Sequence, residues 1–360
     1  MNRVLWSLVP LIAACGSSAD PAPAAALPAP AAPSAMVAAR AAPLQSATES
    51  GVNPRLLRRF KPVRTTIEQP NEPSASVART DLGRMLFFDA RLSKSGDLSC
   101  SSCHRLDHFG VDNEPTSVGA KGVRGRRNSP TVFHAAGHFT SFWDGRAGNI
   151  EEQAKGPILN PAEMAMPDAP AVVTVLQKIP GYVTAFHAAF PEDPSPVTYD
   201  NVARAIGAFE RKLTTPSRWD KYLEGNRAAL SEPELKGLKL FTDLGCMTCH
   251  TGEFVGGSMF QKVGVAAPWP KQADQGRYEV TKLDSDRMIF KVPSLRDVAK
   301  TGPYFHDGSV KTLEEAVTLM GRHQIGEELG ADDVTSIVTW LNSLTGELPT
   351  KYIQPPRLPE

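Results

Sequence analysis

The chain has no excess of either charge: 39 Lys and Arg balance 39 Asp and Glu, and no basic stripe gathers on any segment. That excludes a nucleic-acid partner held through its phosphates. Long hydrophobic runs are missing too, since the apolar stretch from Val4 to Ala14 is too short to span a bilayer. Strand-like alternation is hard to find, which argues for an all-α fold. Aromatics make up only 7% of the residues, few for filling the cores of a chain this long, and cysteine occurs five times.

Four of those cysteines fall in two copies of one pattern, Cys100-Ser-Ser-Cys103-His104 and Cys246-Met-Thr-Cys249-His250. Two thiols three residues apart can form thioethers to the two vinyl groups of one porphyrin, and the histidine that follows can ligate its iron. A zinc half-site, a redox dithiol or a disulfide would also use paired cysteines. Zinc needs four convergent ligands from one small module, however, and a dithiol does not need the histidine. Here each pair has its own histidine, and the pairs lie more than a hundred residues apart. The pattern predicts two covalent haem c groups, and two porphyrins would fill much of the space that the few aromatics leave.

Cys15 has a different context. A short basic start, an apolar stretch and Ile12-Ala13-Ala14-Cys15-Gly16 resemble a bacterial lipoprotein signal over residues 1–15, with Cys15 as the lipidated first residue of the mature chain. An ordinary secretory signal cleaved near Ala14 is the alternative. Either signal sends the chain to the periplasm, where haem c is attached. No aspartate follows Cys15, which by lipoprotein sorting rules implies the outer membrane. Residues 16–50 are dominated by Ala and Pro and read as a tether. The remaining stretch, about 310 residues, suggests two domains with one haem each, over 51–215 and 216–360.

The two halves repeat each other. Gly83-Arg-Met-Leu86-Phe87-Phe-Asp89 runs toward Leu98-Ser-Cys100, as Gly237-Leu-Lys-Leu240-Phe241-Thr-Asp243 runs into Leu244-Gly-Cys246. Pro130-Thr131 stands twelve residues before Phe142-Trp143-Asp144-Gly145, and Pro293-Ser294 twelve before Phe305-His306-Asp307-Gly308. Glu151-Glu152 and Glu314-Glu315 follow in the same register, which argues for a duplicated unit. Capping spacings at Ser231–Glu234 and Thr312–Glu315, and apolar residues at helical intervals over 200–213 and 332–344, predict helices there. Residues 105–130 and 251–293 read as long connecting loops over the haems. Met320, seventy residues after His250, lies on the helix that begins near Thr312; alone, such a methionine reads as core filling.

From about Leu82 to Thr345 the chain resembles the bacterial di-haem cytochrome c peroxidases and the related MauG-type enzymes, through LGRMLFFDARLS, GRRNSPTVF, FWDGRAGNIEEQAKGP, NPAEM, KVPSLRDV and GPYFHDGSVKTLEEAV. The resemblance implies two tandem cytochrome c-like domains, with Met320 ligating the second haem iron opposite His250. MauG-type enzymes carry tyrosine at that place. It implies that the His104 haem is peroxidatic, with Glu163 in Asn160-Pro-Ala-Glu163-Met164 moving a proton between the peroxide oxygens and Gln153 lining the same pocket. Without the NPAEM context, Glu163 would read as a solvated loop residue. Trp143, which aligns with His306 in the repeat, implies an electron relay between the haems; a packed core tryptophan is the other reading, and both can hold. Asn128, Thr301 and Pro303 match a family calcium site, with a side-chain oxygen from the first and backbone carbonyls from the others.

One departure stands out. Many members carry a blocking histidine sixteen residues after the first haem histidine, where this chain has Ala120 in Val118-Gly119-Ala120-Lys121-Gly122. Alanine cannot coordinate iron, which implies a first haem open without reductive activation. His108 lies too near His104 to reach the opposite face, and His134 and His138 read as surface or packing histidines. The family reading is hydrogen peroxide reduction with electrons from a small cytochrome c or cupredoxin, and it allows a homodimer. Its rivals are a MauG-like oxidase acting on a Trp or Tyr of a partner protein, and a non-catalytic electron carrier with both irons six-coordinate.

Overall fold

The computed structural model describes residues 51–68 and 75–360. The signal ending at Cys15 and the 16–50 tether both lie outside the described residues.

The main helices are α1 (Val77–Phe88), α2 (Ile150–Leu159), α3 (Ala169–Gln177), α4 (Pro180–Ala189), α5 (Tyr199–Glu210), α6 (Glu232–Asp243), α7 (Leu313–Met320) and α8 (Ala331–Asn342). Their starts follow from local chemistry. Ser76 Oγ accepts from Arg79 N at 3.1 Å, Thr312 Oγ1 from Glu315 N at 3.1 Å, and Ser231 with Glu234 forms a capping box beside Pro233 in the first turn. Each half is built on a tight helix crossing at a glycine. A Cβ on Gly83 of α1 would stand 1.8 Å from the Ala205 carbonyl oxygen on α5, and one on Gly237 of α6 would stand 1.9 Å from that of Ser336 on α8.

The all-α expectation needs one correction. Residues 251–293 contain a two-stranded antiparallel sheet, β1 (Phe260–Lys262) with β2 (Ile289–Lys291), in register Phe260 to Lys291. Three-residue strands are too short for alternation to be legible, and their pairing is decided by contacts far apart in the chain. The expected helix over 200–213 stops at Glu210, and Leu213, although fully buried, lies in the turn beyond it. The apolar period there reports burial after helix has ended.

Two apolar cores flank the site. The first is built from α1, α2, α5 and neighbours, including Leu82, Phe87, Ile158, Phe186 and Phe209. The second centres on Trp219, Leu238, Phe241, Ile337 and Trp340. The terminal segments cross over relative to the 51–215 and 216–360 division. Val52 and Phe60 belong to the second core, with the Phe60 ring edge-on to Trp219 at 5.3 Å. Ile353 belongs to the first core, and Tyr352 donates its hydroxyl to the Phe209 carbonyl at 2.9 Å. Sequence adjacency cannot reveal this exchange, because packing on either core needs the same kind of apolar residue.

The repeat survives in the backbone. Phe142 and Phe305 both have left-handed φ, 66° and 68°, as do His134 at 64° and Asp297 at 58°, each pair 163 positions apart. The bridges Ser141 to Ala147 and Tyr304 to Val310 keep the same offset. Among the described residues, no helix is long and apolar enough to cross a membrane.

Candidate haem centres and peroxide pocket

One cavity of 1110 Å³ opens between the two cores, lined by both CxxCH motifs. It exceeds the roughly 300–1,000 Å³ of an ordinary single-ligand pocket. Cys100–Cys103 forms one helical turn, and the Ser99 N–H at its start donates to Ser102 Oγ at 3.0 Å. In the second half Gly245, with φ of 83°, turns the chain from α6 into Cys246–Thr248. Burial raises the Cys100 and Cys103 thiols above their ordinary range and pushes Cys246 up to about 11. Among the described residues, no group of three His, Cys, Asp or Glu side chains is arranged to hold a metal ion.

The histidines are oriented from behind. His104 Nδ1 meets the Gly110 carbonyl at 3.2 Å, and His250 Nδ1 meets that of Val255 at 3.3 Å. A carbonyl only accepts, so Nδ1 carries the proton and Nε2 keeps its lone pair for a metal. Burial lowers both imidazoles, His250 to about 4, so each is neutral. These features fit a covalent porphyrin on each motif. Met320, the last residue of α7, lines the cavity and packs with Trp269, Met288 and Phe290. A π-helical turn, Gly321–Ile325, begins directly after it, an irregularity that recurs at functional positions.

Glu163 lines the cavity from the loop after α2, and Asn160 Nδ2 donates to its Oε1 at 2.6 Å. Burial raises its carboxyl above the ordinary range, opposed by the Asn160 hydrogen bond and the charge of Arg146. Arg146 is held to Asp144 at 3.0 Å and lies 3.4 Å over the Phe142 ring. Gln153 enters the cavity from α2, four residues before Pro157, which lacks the N–H that would meet the Gln153 carbonyl. Ala120 is buried, and its N–H donates to the Glu163 carbonyl at 2.8 Å.

Trp143 sits where the halves meet. Its Nε1 donates to the Asn128 carbonyl at 3.0 Å, and its ring lies edge-on to His306, centroids 6.4 Å apart. Asn128, Thr301 and Pro303 line the same cavity, and Asn128 Nδ2 donates to the Glu114 carbonyl at 3.1 Å. His134 is fully buried, its Nε2 2.8 Å from Thr215 Oγ1, whose hydroxyl donates to Asp297 at 2.6 Å. His138 lines the cavity, and His108 lies against Arg105 at 3.2 Å. Neither His134 nor His138 is a surface residue. Sequence reasoning passed over Lys291 and Glu210, both buried in the cavity wall. The repeat held a signal for Lys291, which stands 163 positions after Asn128.

Two half-buried CxxCH motifs on one cavity, with Met320 and Glu163 also in its wall, fit a di-haem c-type protein. The family model for di-haem cytochrome c peroxidase matches residues 77–228. The chain is 48% identical over 288 residues to the cytochrome c551 peroxidase of Nitrosomonas europaea, covering 78% of this chain and 85% of that one. It is 45% identical over 306 residues to the cytochrome c551 peroxidase of Pseudomonas aeruginosa, covering 83% and 87%. The crystal structure of a MauG-like protein associated with microbial copper homeostasis superposes with a TM-score of 0.72 at 29% identity, covering 82% and 98%. The chain belongs to the di-haem cytochrome c peroxidase family, whose members carry haem c.

Proposed function

We propose that the protein is a cytochrome c peroxidase that takes electrons from a small donor protein and reduces hydrogen peroxide to water, consuming two electrons and two protons per peroxide. The observation that carries this reading is the divergence of the two halves: Met320 stands in the cavity wall of the second, Glu163 in that of the first. The relatives named as peroxidases are 45% and 48% identical, against 29% for the MauG-like structure.

Haem c supplies the one-electron redox chemistry when bound. His104 and His250 would each hold a haem iron through Nε2, and Met320 would offer its thioether to the second. The Glu163 carboxylate takes a proton from one peroxide oxygen and returns it to the departing one. Burial raises its affinity for protons above that of an ordinary carboxyl, which suits a group that must do both. Asn160 fixes the orientation of the carboxyl, and Gln153 offers an amide to position peroxide.

Steady-state turnover of peroxide with reduced cytochrome c tests the reading. Glu163→Gln is expected to lower kcat by about 10²–10⁴-fold with both haems retained. Wild-type protein that fails to turn over peroxide with this donor would instead favour the MauG-like oxidase or the plain electron carrier. Calcium at Asn128, Thr301 and Pro303 fits the chemistry of a hard cation held by neutral oxygens and water. Chelation is expected to lower the Tm of the holoprotein and readdition to restore it; an unchanged Tm would remove calcium from the proposal.

A further inference from the structure

Six cations line the cavity, and five have an evident place. Arg124 pairs with Glu114, Arg126 with Glu279, Arg127 with Asp144 and Asp274, and Arg146 with Asp144, while Lys262 is exposed. Lys291 is different. It is buried, 8% exposed, at the end of β2, and no carboxylate pairs with it among the described residues. Its Nζ donates to the Thr140 carbonyl at 3.2 Å and to His138 Nδ1 at 3.3 Å. Both acceptors are neutral, since burial and the adjacent ammonium hold His138 far below its ordinary range. An ammonium has three donors, so one remains to be satisfied. His138 must then carry its proton on Nε2, which is buried with no partner either. Burial lowers Lys291 only to about 8, so it is still charged at neutral pH. A buried charge without a counter-charge is costly, and the fold must gain one from what fills the cavity.

The position of Lys291 says what that is. Its backbone N–H donates to the Trp143 carbonyl at 2.7 Å; the equivalent Asn128 N–H donates to the His306 carbonyl at 2.8 Å, the mirror arrangement in the other half. Lys291 therefore lies at the seam beside Trp143, opposite in the repeat to the residue read as a calcium ligand. A covalent porphyrin is tied at its vinyl edge by the cysteines, and its two carboxylates lie on the opposite edge. We infer that the Lys291 ammonium is the built-in counter-charge for a haem carboxylate at the seam, where it anchors the porphyrin and makes its iron easier to reduce. This rests on the di-haem reading.

Optical redox titration of the holoprotein tests it. Lys291→Met is expected to lower the reduction equilibrium constant of at least one haem tenfold or more, about 59 mV for a one-electron couple. Lys291→Arg, which keeps the charge, is expected to stay within about threefold of wild type. Unchanged potentials for both haems in Lys291→Met would overturn the inference. If that variant yields no holoprotein, resonance Raman of wild type against Lys291→Arg decides. A shifted propionate bending band supports the pairing, and identical bands overturn it. Alkaline pyridine spectra report the covalent haem content separately, so failure of the di-haem reading is distinguishable from failure of this one.

Discussion

Two glutamates in the first half show how burial tunes a carboxyl at the scale of single residues. Glu163 has an amide donor and a nearby guanidinium to moderate its environment. Glu210 has neither advantage in full. It is pushed up to about 8 by burial and by the charge of Glu151, with Arg211, itself bonded to Glu151, only partly offsetting this. The folded-state value lies above the ordinary 4.5, so the protonated carboxyl favours the fold below about pH 4.5, and that advantage is lost as pH rises through about 8. Glu210→Gln should therefore match wild type in acid and exceed it above pH 8, by an amount on the order of a few kcal/mol. Calorimetric Tm against pH checks this; a difference that is flat with pH would defeat it. The two CxxCH motifs were legible in the sequence because the spacing that thioether attachment needs is local. Lys291, His138 and Glu210 were not, because their significance comes from burial by residues far along the chain.

At the scale of elements, caps and apolar periods located α6, α7 and α8, while the close helix crossings at Gly83 and Gly237 became visible only in the fold. The short strands and the early end of α5 escaped, since both are set by tertiary packing. The segment around Ala120 matters most for chemistry. Gly119 N bonds to the Val123 carbonyl at 2.8 Å and Gly125 N to that of Ser117 at 2.9 Å, closing a small hairpin-like loop. The Ala120 N–H then ties this loop to Glu163. With no imidazole at position 120, the oxidised protein should show one high-spin, five-coordinate haem without prior reduction. An electronic or EPR spectrum with both haems low-spin would refute the open site.

Across the whole molecule, the duplication has become a reciprocal clasp. Asn128 and Lys291 each bond to the opposite half, and His134, Thr215 and Asp297 link the repeat-related loops in a buried chain. Trp143 lies on this seam, hydrogen-bonded to Asn128 and edge-on to His306. Trp143→Phe should slow electron passage between the haems, read by stopped-flow spectra, while leaving both haems attached; unimpaired transfer would reduce Trp143 to a packing role. The repeat itself was plain in the sequence through its constant spacing, but the crossing of the termini was not. That crossing links the fates of the two halves. Tyr352 and Ile353 pack on the first core and Val52 and Phe60 on the second, so trimming either stretch is expected to loosen the half to which it is not joined in sequence.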